Sequence, residues 1–526
     1  QRASTASVSD LQVGVNVTGF EFNGVNPPDP TGEVGKKYYI HSINSPGGSR
    51  VTIIDKVTGE QAVDPFEMKY LGAVGGCGTG MGDPIIIYDE HAERWLLTEF
   101  SDTQAKSLCV YVSKTDDPIT GGWHSYEFLM DEFPDYPKYG VMGGNYFVSG
   151  NESGGAVYAL DRAKMLAGEP AAMVRSEVPS LAGFGFHSIT PIDVDGANPP
   201  ADGTPGMYIR HRDDELHNAG ANDGSKDYLE LWSYSPNFDS PDDSVLEGPF
   251  NIEIAEFNSD FTCPDGFGCL TQKPEADQSL QTLDPLKEVV NFKAQYRKFN
   301  DYESITGTFV TKLDQNNAGL RWFELRKMDG NWALFQEGML PADDGNSRYM
   351  SGAALDGSGN MAIAYMITGP DQYPSIRATG RHAHDDLGTM ASDEITLHEA
   401  DGGIATNRDG DYSHMSVDPF DNCTFWFTGE HGGEGAQWST KISSFKFPGC
   451  TGAESTDSGF QLTSANKAQH VCQAGTLQPI PVSVYGYNNF NGAVNLSYAD
   501  LPAGLSGTFS KGSVKAGETS DAEITV

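Results

Sequence analysis

The stretch that decides the fold is Gly82-Asp83-Pro84-Ile85-Ile86-Ile87-Tyr88-Asp89, followed after a polar turn by Arg94-Trp95-Leu96-Leu97-Thr98-Glu99-Phe100. It consists of an acidic turn, an apolar run of strand length, a polar turn and an aromatic-rich run. Two short runs of this kind, bounded by turn residues, are typical of an antiparallel pair of β-strands. The stretch therefore predicts a β-hairpin that begins at an acidic turn.

The same pattern recurs along the chain in seven copies, with anchors at positions 29, 83, 135, 187, 284, 349 and 411. The first four anchors follow one another at about 50 residues, the length of a four-stranded blade. A second hairpin follows most copies, and the one convincing helix is short, from Leu160 to Ala167. The sequence therefore predicts an all-β protein in which residues 1–450 form a seven-bladed β-propeller.

The two ends of this repeat region predict how the ring closes. Residues 11–22 alternate between apolar and polar and are predicted to add an outer strand to the last blade, beside residues 439–447. This closure would remove an open sheet edge that otherwise invites aggregation.

The composition of the sequence changes after Cys450, and residues 451–459 have the small and polar composition of a linker. Residues 460–526 contain short strand-like runs and resemble the immunoglobulin-like modules of secreted bacterial enzymes and adhesins. The segment is shorter than the roughly 100 residues of such a sandwich. We expect an incomplete domain that continues past residue 526, or one completed by a strand of a partner through self-assembly.

The charge of the chain limits its partners. It has 34 basic and 73 acidic residues, a formal net charge of −39. Such an acidic surface repels nucleic acids and anionic membranes, and it suits either solubility in salty water or the binding of many cations. The sequence has no apolar run of membrane-spanning length. It begins with a small polar stretch that reads as a mature N-terminus after cleavage of a signal.

The seven cysteines predict three local disulfides, Cys77–Cys109, Cys263–Cys269 and Cys423–Cys450. Cys472 is left over, and we expect its partner beyond residue 526. Disulfides of this number favour an oxidising compartment, and therefore a secreted or cell-surface protein.

Several stretches resemble a family of secreted bacterial β-propeller proteins of uncharacterised activity. These stretches are Pro27-Pro28-Asp29-Pro30-Thr31-Gly32, Phe133-Pro134-Asp135-Tyr136-Pro137-Lys138, Tyr373-Pro374-Ser375-Ile376-Arg377, Gly410-Asp411-Tyr412-Ser413 and Phe445-Lys446-Phe447-Pro448-Gly449-Cys450. The resemblance spans about residues 20–450. It implies the propeller fold and an extracellular location, and it assigns no catalytic residues.

Five of the seven anchors are aspartates, which the repeat predicts at the mouth of a central channel: Asp29, Asp83, Asp135, Asp284 and Asp411. A ring of carboxylates repels itself unless a cation or water lies between its members. The ring therefore suggests calcium or a cationic substrate group. The alternative is that each aspartate caps its own turn through the backbone N–H groups that follow.

A second set of residues on the same loops is a candidate catalytic group: His187, His414, Tyr136, Tyr412 and Arg210. A histidine and a tyrosine could perform β-elimination on a uronate, with the arginine neutralising its carboxylate. Glu303 and Asp135 could instead serve as the carboxylate pair of a glycoside hydrolase. The alternative is that these are ordinary polar residues of propeller loops.

A calcium site is predicted at Asp193-Val194-Asp195-Gly196-Ala197-Asn198, with Asp202 following. Alternating carboxylates on a glycine-containing turn can face one hard cation. A solvated acidic turn is the alternative.

Together these features favour a secreted, calcium-binding propeller that binds extracellular polysaccharide or matrix, or mediates adhesion at the cell surface. Two other hypotheses stay open. One is a polysaccharide-degrading enzyme, a lyase more than a glycoside hydrolase. The other is a structural subunit of an extracellular assembly.

Overall fold

The computed structural model describes residues 11–183, 185–201, 203–217, 226–263, 266–275, 280, 282–313, 317–328, 330–340, 344–452, 459–464, 475, 477–487, 490–498, 501 and 503–526. Nearly all of their regular structure is β-strand, which confirms the all-β prediction. The single α-helix of the described residues, α1 (Arg162–Ala167), lies within the predicted segment. It begins after Asp161, whose side chain accepts a hydrogen bond from the Lys164 N–H as an N-cap. None of the described helices has the length and apolar character that crossing a membrane requires.

Seven four-stranded antiparallel units occupy the described part of the chain up to residue 446. In chain order they are β2–β5 (Thr31–Val34, Tyr38–Ser45, Gly48–Asp55, Gln61–Glu67), β6–β9 (Gly80–Asp89, Arg94–Ser101, Ser107–Ser113, Trp123–Leu129), β10–β13 (Lys138–Met142, Asn145–Gly150, Ala156–Leu160, Met173–Glu177), β14–β17 (Thr190–Val194, Gly206–Arg212, Asp227–Ser235, Val245–Ile254), β18–β21 (Ala294–Lys298, Glu303–Lys312, Ala318–Met328, Asn331–Leu340), β22–β25 (Ser347–Leu355, Met361–Gly369, Gln372–Arg381, Ile395–His398), and β26–β28 with β1 (His414–Val417, Phe425–Gly433, Gln437–Lys446, with Gln12–Glu21). Short 3-10 turns lie at Met68–Leu71, Gly75–Gly78, Pro241–Asp243 and Glu434–Ala436.

The first strands of the units lie side by side in a closed cycle. β2 contacts β6, and the contacts continue through β10, β14, β18 and β22 to β26, which contacts β2 again. β14 and β18 also pair with each other as parallel strands, and their two units therefore form one eight-stranded sheet. The architecture is therefore propeller-like, with one strand of each unit facing a common centre.

The N-terminal strand belongs to the last unit. β1 pairs antiparallel with β28, with Val13 opposite Phe445 and Val17 opposite Ile442. β1 is thus the outermost strand of that sheet, as expected for residues 11–22, and it joins the start of the chain to residues more than 400 positions later.

The hydrophobic core lies between neighbouring units. Trp95 of the second unit packs with Ile40 and Val51 of the first, and Trp426 of the last unit packs with Tyr39 of the first. Because both faces of each sheet are covered by a neighbour, aromatic side chains as large as tryptophan are buried completely.

The three predicted disulfides are confirmed. The Cα–Cα distances are 5.6 Å for Cys77–Cys109, 4.6 Å for Cys263–Cys269 and 5.7 Å for Cys423–Cys450. Cys472 lies outside the described residues.

The C-terminal segment forms its own small sheets. β29 (Gly459–Ser464), β30 (Ile480–Tyr487), β32 (Ser506–Phe509) and β34 (Thr519–Thr525) make one sheet, and β31 (Ala493–Asn495) pairs with β33 (Ser513–Lys515). Val484, Val494 and Val514 are buried together between them.

Candidate functional site

Three turns at the start of inner strands have an unusual backbone. Asp29, Asp83 and Tyr136 have φ values of 45°, 51° and 51°, and each directly precedes a proline. A left-handed conformation is costly for residues other than glycine and persists only where surrounding contacts impose it. In the third turn the residue with this backbone conformation is Tyr136. Asp135, the predicted counterpart of Asp29 and Asp83, precedes it by one residue and is exposed.

Side chains that cross between units hold these turns. An Asp29 carboxylate oxygen accepts from the Asp411 N–H at 2.8 Å, and an Asp83 oxygen accepts from the Tyr136 N–H at 3.2 Å. Asn44 donates to the other Asp29 oxygen at 2.6 Å and accepts from the Asp83 N–H at 2.7 Å. Asp29 and Asp83 therefore cap the turns of neighbouring units, whereas the alternative interpretation of the sequence had each aspartate cap its own turn.

A cationic side chain joins two further members of the predicted ring. Arg408 donates to Asp411 Oδ2 at 2.5 Å and to Asp284 Oδ2 at 3.3 Å. Its guanidinium lies 4.7 Å from the ring centroid of Phe267, which belongs to the Cys263–Cys269 loop. Phe267 is 50% exposed, and the Arg408 side chain is 29% exposed. We call these four residues, Phe267, Arg408, Asp284 and Asp411, the mouth surface.

Beneath the mouth surface, Lys138 is held between two tyrosines. Its Nζ lies 3.3 Å from the ring centroid of Tyr136 and 3.2 Å from that of Tyr412. Burial lowers the pKa of Lys138 well below its usual value, against the opposing effect of Asp83 and the other nearby carboxylates. The Tyr412 hydroxyl donates to Asp83 Oδ2 at 2.7 Å.

The burial of Asp29 gives a pH-dependent prediction. Burial raises the pKa of Asp29 to about 7, with the nearby Asp83 as the next cause. The folded protein then retains a proton that the unfolded chain loses near pH 4, so this contribution to stability is full at low pH and is lost as the pH rises through 7. We expect Asp29→Asn to flatten the fall in unfolding free energy between pH 5 and pH 8, measured by urea denaturation in chelator. The exposed Asp64→Asn is the control, and equal slopes for wild type and Asp29→Asn would contradict the prediction.

The predicted calcium turn is occupied by an ammonium group. Lys293 Nζ lies 2.7 Å from Asp193 Oδ2, 2.7 Å from Asp195 Oδ1 and 3.2 Å from Glu33 Oε2. All four side chains are buried, and they come from three different units or their edges, so they meet at the centre of the ring. The turn is neither solvated nor arranged around a vacant position, and Asp202 lies outside the described residues.

The predicted catalytic residues do not converge as a group. Tyr136 and Tyr412 are in contact, with ring centroids 5.2 Å apart. His414 is buried and lies 3.1 Å from Glu33 Oε2, with burial lowering its pKa. Arg210 pairs with Glu230 across β15 and β16, where its Nε lies 2.7 Å from Oε2.

The two remaining candidates lie elsewhere. His187 is half-buried, and its backbone N–H donates to Asn151 at 3.0 Å. Glu303 accepts a hydrogen bond from Tyr296 within the β18–β19 hairpin, while Asp135 is exposed at the third turn. The structure therefore does not bring Glu303 and Asp135 into the same hydrogen-bonded group.

Sequence reasoning missed the roles of Lys293, Glu33 and Phe267. A signal existed for Glu33, because it is a lone acid inside a fully buried strand whose other residues are small or apolar. A charge at such a position must be paired or protonated when the strand is buried. Phe267 had no such signal, since a phenylalanine in a disulfide loop reads equally well as core.

One further group of acids lies outside the ring centre. Among the described residues, Asp213, Glu215 and Asp227 bring one oxygen each within 4.8 Å of one another. Both oxygens of Asp213 and both of Asp227 already accept hydrogen bonds, mainly from backbone N–H groups.

Comparisons with known proteins give the following. No protein-family model matches the chain, and no curated protein matches it. Among solved structures, the WD40 domain of coronin from Toxoplasma gondii is similar at 9% identity, covering 84% of this chain and 89% of that one, with a TM-score of 0.37. The Dos1 propeller is similar at 9% identity over 83% and 96% of the two chains, with a TM-score of 0.35.

An endo-arabinase from Bacteroides thetaiotaomicron is similar at 11% identity, covering 71% of this chain and 99% of that one, with a TM-score of 0.27. Scores this low carry no evidence about what this chain does. Its function has to be inferred from its own residues.

Proposed function

We propose that this protein is a secreted seven-bladed β-propeller that binds a neutral polysaccharide at the mouth surface. The closed cycle of inner strands supports reading the seven four-stranded units as blades. Three disulfides support an extracellular location. The two small sheets of the C-terminal segment support an immunoglobulin-like module that follows the ring.

The observation that carries the proposal is the exposed ring of Phe267 beside Arg408, Asp284 and Asp411. Sites for small polar ligands combine an apolar or aromatic surface with a few fixed polar groups. An exposed aromatic face can stack against the C–H face of a sugar ring. Arg408 is 29% exposed and already oriented by two carboxylates, so its guanidinium can donate hydrogen bonds to sugar hydroxyls.

The charge at this surface selects among polysaccharides. Asp29, Asp83, Asp284 and Asp411 surround the mouth, and the whole chain carries a formal net charge of −39. A uronate or a sulfated sugar would meet repulsion there, whereas an uncharged sugar would not. We therefore propose a neutral glycan.

Binding is a better interpretation of the site than the predicted lyase. Elimination from a uronate needs a base, an acid and a cation around one substrate carbon. Here Arg210 is bound to Glu230, and His414 is bound to Glu33 inside the ring. Each of these two groups is therefore already engaged by a buried carboxylate, which does not suit a base or a cation that must act on a substrate.

The test of glycan binding uses Phe267→Ala. Affinity electrophoresis or calorimetry with arabinan, glucan, mannan and galactan is compared with alginate and chondroitin sulfate. We expect binding to at least one neutral polymer and none to the acidic ones. Loss of an aromatic anchor at the centre of a contact should weaken binding by about tenfold or more.

Phe420→Ala is the matched control. Phe420 is 78% exposed and also lies beside a cation, with Lys56 Nζ 5.2 Å from its ring centroid, but it lies in the β26–β27 hairpin. We expect this variant to bind like the wild type. Binding that is confined to acidic polymers, or an equal loss in both variants, would refute the mouth surface as the site.

A further inference from the structure

We infer that the glycan bound at the mouth surface also contacts a second aromatic surface beside it, so that the protein recognises a chain of several neutral sugar units. Phe186, His187 and Asp135 form this second surface. The inference rests on the proposed glycan binding, and it specifies the length of the ligand that the site takes.

Phe186 supplies the aromatic ring of the second surface. The residue is half-buried, and its ring meets that of Tyr136 at an angle of 83°, with the two centroids 4.6 Å apart. The backbone beside it is fixed, because the Gly185 N–H donates to Glu288 Oε2 at 3.0 Å. An aromatic ring that is fixed on one side and partly open to solvent is a rigid apolar contact of the kind that ligand sites use.

His187 and Asp135 supply polar groups beside this ring. Asn151 joins them, since its Oδ1 accepts from the His187 N–H at 3.0 Å and its Nδ2 donates to Asp135 Oδ2 at 3.3 Å. The half-buried imidazole of His187 makes no hydrogen bond or ion pair with any of the described residues. A neutral imidazole donates one hydrogen bond and accepts another, which suits the hydroxyl groups of a sugar. The exposed carboxylate of Asp135 can accept a further one.

The sequence repeat also relates His187 to the mouth. It is the anchor of the fourth copy, and the anchors of the three copies before it are aspartates: Asp29, Asp83 and Asp135. Its inner strand, β14, begins soon afterwards at Thr190. An imidazole thus takes the place of a carboxylate at this edge of the mouth, where it can bind a sugar hydroxyl without adding negative charge.

Two tyrosines connect the second surface to the mouth surface. Tyr136 contacts both Phe186 and Tyr412, and the centroids of the two tyrosine rings are 5.2 Å apart. Tyr412 directly follows Asp411, a member of the mouth surface. Both tyrosines are buried, so they support the two surfaces from below and hold them at a fixed separation.

Leu286 provides a second connection. It packs against the same hydrophobic cluster as Phe186, and also against the cluster that contains Cys269, whose disulfide loop carries Phe267. The Leu286 N–H donates to Asp284 of the mouth surface at 2.8 Å. The mouth surface and the second surface are therefore neighbouring parts of one face of the ring.

The arrangement of the two aromatic rings determines the length of the ligand. The contacts that lead from Phe267 to Phe186 run through Arg408 and the two tyrosines, so one sugar unit is too small to reach both rings. A chain of several units lying across the mouth can contact both. Once its first units are bound, the later ones bind as part of the same molecule, with little further loss of translational freedom. The affinity should therefore rise with the length of the glycan.

The test measures affinity against chain length. Oligosaccharides of arabinan, glucan, mannan and galactan, from the monosaccharide to the hexasaccharide, are titrated into the full chain by calorimetry. We expect the affinity of the wild type to rise with length in the series that it binds. Phe186→Ala should bind the hexasaccharide about fivefold or more weakly than the wild type does, with the disaccharide unaffected. Phe267→Ala should weaken the binding of both.

His187→Ala is the second variant, because Phe186 packs against Tyr136 and its truncation can affect folding. The imidazole of His187 has no such contact among the described residues, and its loss should also lower the affinity for the hexasaccharide. Phe250→Ala is the matched control. Phe250 is 50% exposed on β17, the outer strand of the fourth unit, and this variant should bind every oligosaccharide like the wild type.

The outcomes separate this inference from the proposed function. Affinity that does not change with chain length would overturn the second surface and leave the mouth surface in place. So would hexasaccharide binding that is undiminished in both Phe186→Ala and His187→Ala, or a loss in these variants that is equal for the disaccharide and the hexasaccharide. A wild type that binds no neutral glycan, or binding that Phe267→Ala leaves unchanged, would overturn the proposed function and this inference with it.

Discussion

Replacement of Lys293 by methionine is expected to destabilise the folded protein by about 3–5 kcal/mol. The substitution leaves the volume of the side chain nearly unchanged but removes the only cation within bonding distance of three buried carboxylates in the described chain, Glu33, Asp193 and Asp195. Breaking a buried ion pair from one side leaves uncompensated charge in a medium of low polarity. That charge must either be tolerated at high cost or be neutralised by protons.

The measurement is the free energy of unfolding in urea, taken at several pH values. Although burial opposes its ionisation, Glu33 has a pKa of about 2, because Lys293 and then His414 stabilise its carboxylate. Loss of Lys293 lets this group take up a proton at higher pH, so the deficit of Lys293→Met should shrink as the pH is lowered from 8 to 5.

Lys36→Met provides the control for Lys293→Met, since Lys36 pairs with Glu93 at the surface with both side chains more than 40% exposed. Exposed pairs contribute little to stability, so this variant should lose far less stability than Lys293→Met. A deficit in Lys293→Met that is equally small, or that does not change with pH, would contradict the role assigned to Lys293.

Deletion of residues 1–21 is expected to produce the second large effect. It removes β1 and leaves β28 as an exposed edge along almost its whole length. The loss comprises the hydrogen bonds of the β1–β28 ladder, each contributing about 1 kcal/mol. An exposed edge strand also invites pairing with other chains. We expect a large drop in melting temperature together with concentration-dependent aggregation, measured by scanning fluorimetry and light scattering.

Deletion of residues 1–10 is the control, because it leaves the β1–β28 pairing intact. A synthetic peptide of residues 11–22, added in excess to the longer deletion, should restore part of the lost stability. Equal melting temperatures for the two deletions would show that β1 does not close the ring.

The all-β, propeller-like architecture could be predicted from the sequence because the signal is repeated. Each copy combines turn residues with strand-length apolar runs, so an error in one copy does not change the reading of the others. The disulfides followed from the same regularity, since each pair lies within or beside one repeat. The seven copies correspond to the seven units of the described chain, although the anchors were not all equivalent in position.

The site could be predicted only in part, because its partners come from distant parts of the chain. Asp29 and Asp411 were placed at one mouth, and the structure joins them by a hydrogen bond across 382 positions of sequence. Lys293 illustrates the limit. Viewed locally, the alternation of Asp193 and Asp195 predicts a calcium turn. The group that lies between the two carboxylates is Lys293, which is 98 positions away from Asp195, so no neighbouring residue predicts it.

Arg210 illustrates the opposite error. An arginine on a predicted loop reads as available for a substrate, yet β15 extends to Arg212 and places Arg210 opposite Glu230 in the neighbouring strand. Cross-strand pairing of this kind depends on register, and register is set by packing of the whole sheet. The role of a single residue such as Arg210 is therefore harder to infer from sequence than the presence of the repeat that contains it.

The pairing of β1 with β28 also determines how the ring responds to mechanical load. Gln12, at the start of β1, lies opposite Lys446, at the end of β28. A tension applied through the N-terminus and through the chain after residue 446 therefore acts on the same end of the ladder. The two strands would separate one pair at a time, as a zipper opens, and would not have to slide past each other with all their bonds loaded at once. A molecule tethered at both ends would thus yield first between β1 and β28, while the other units stay folded.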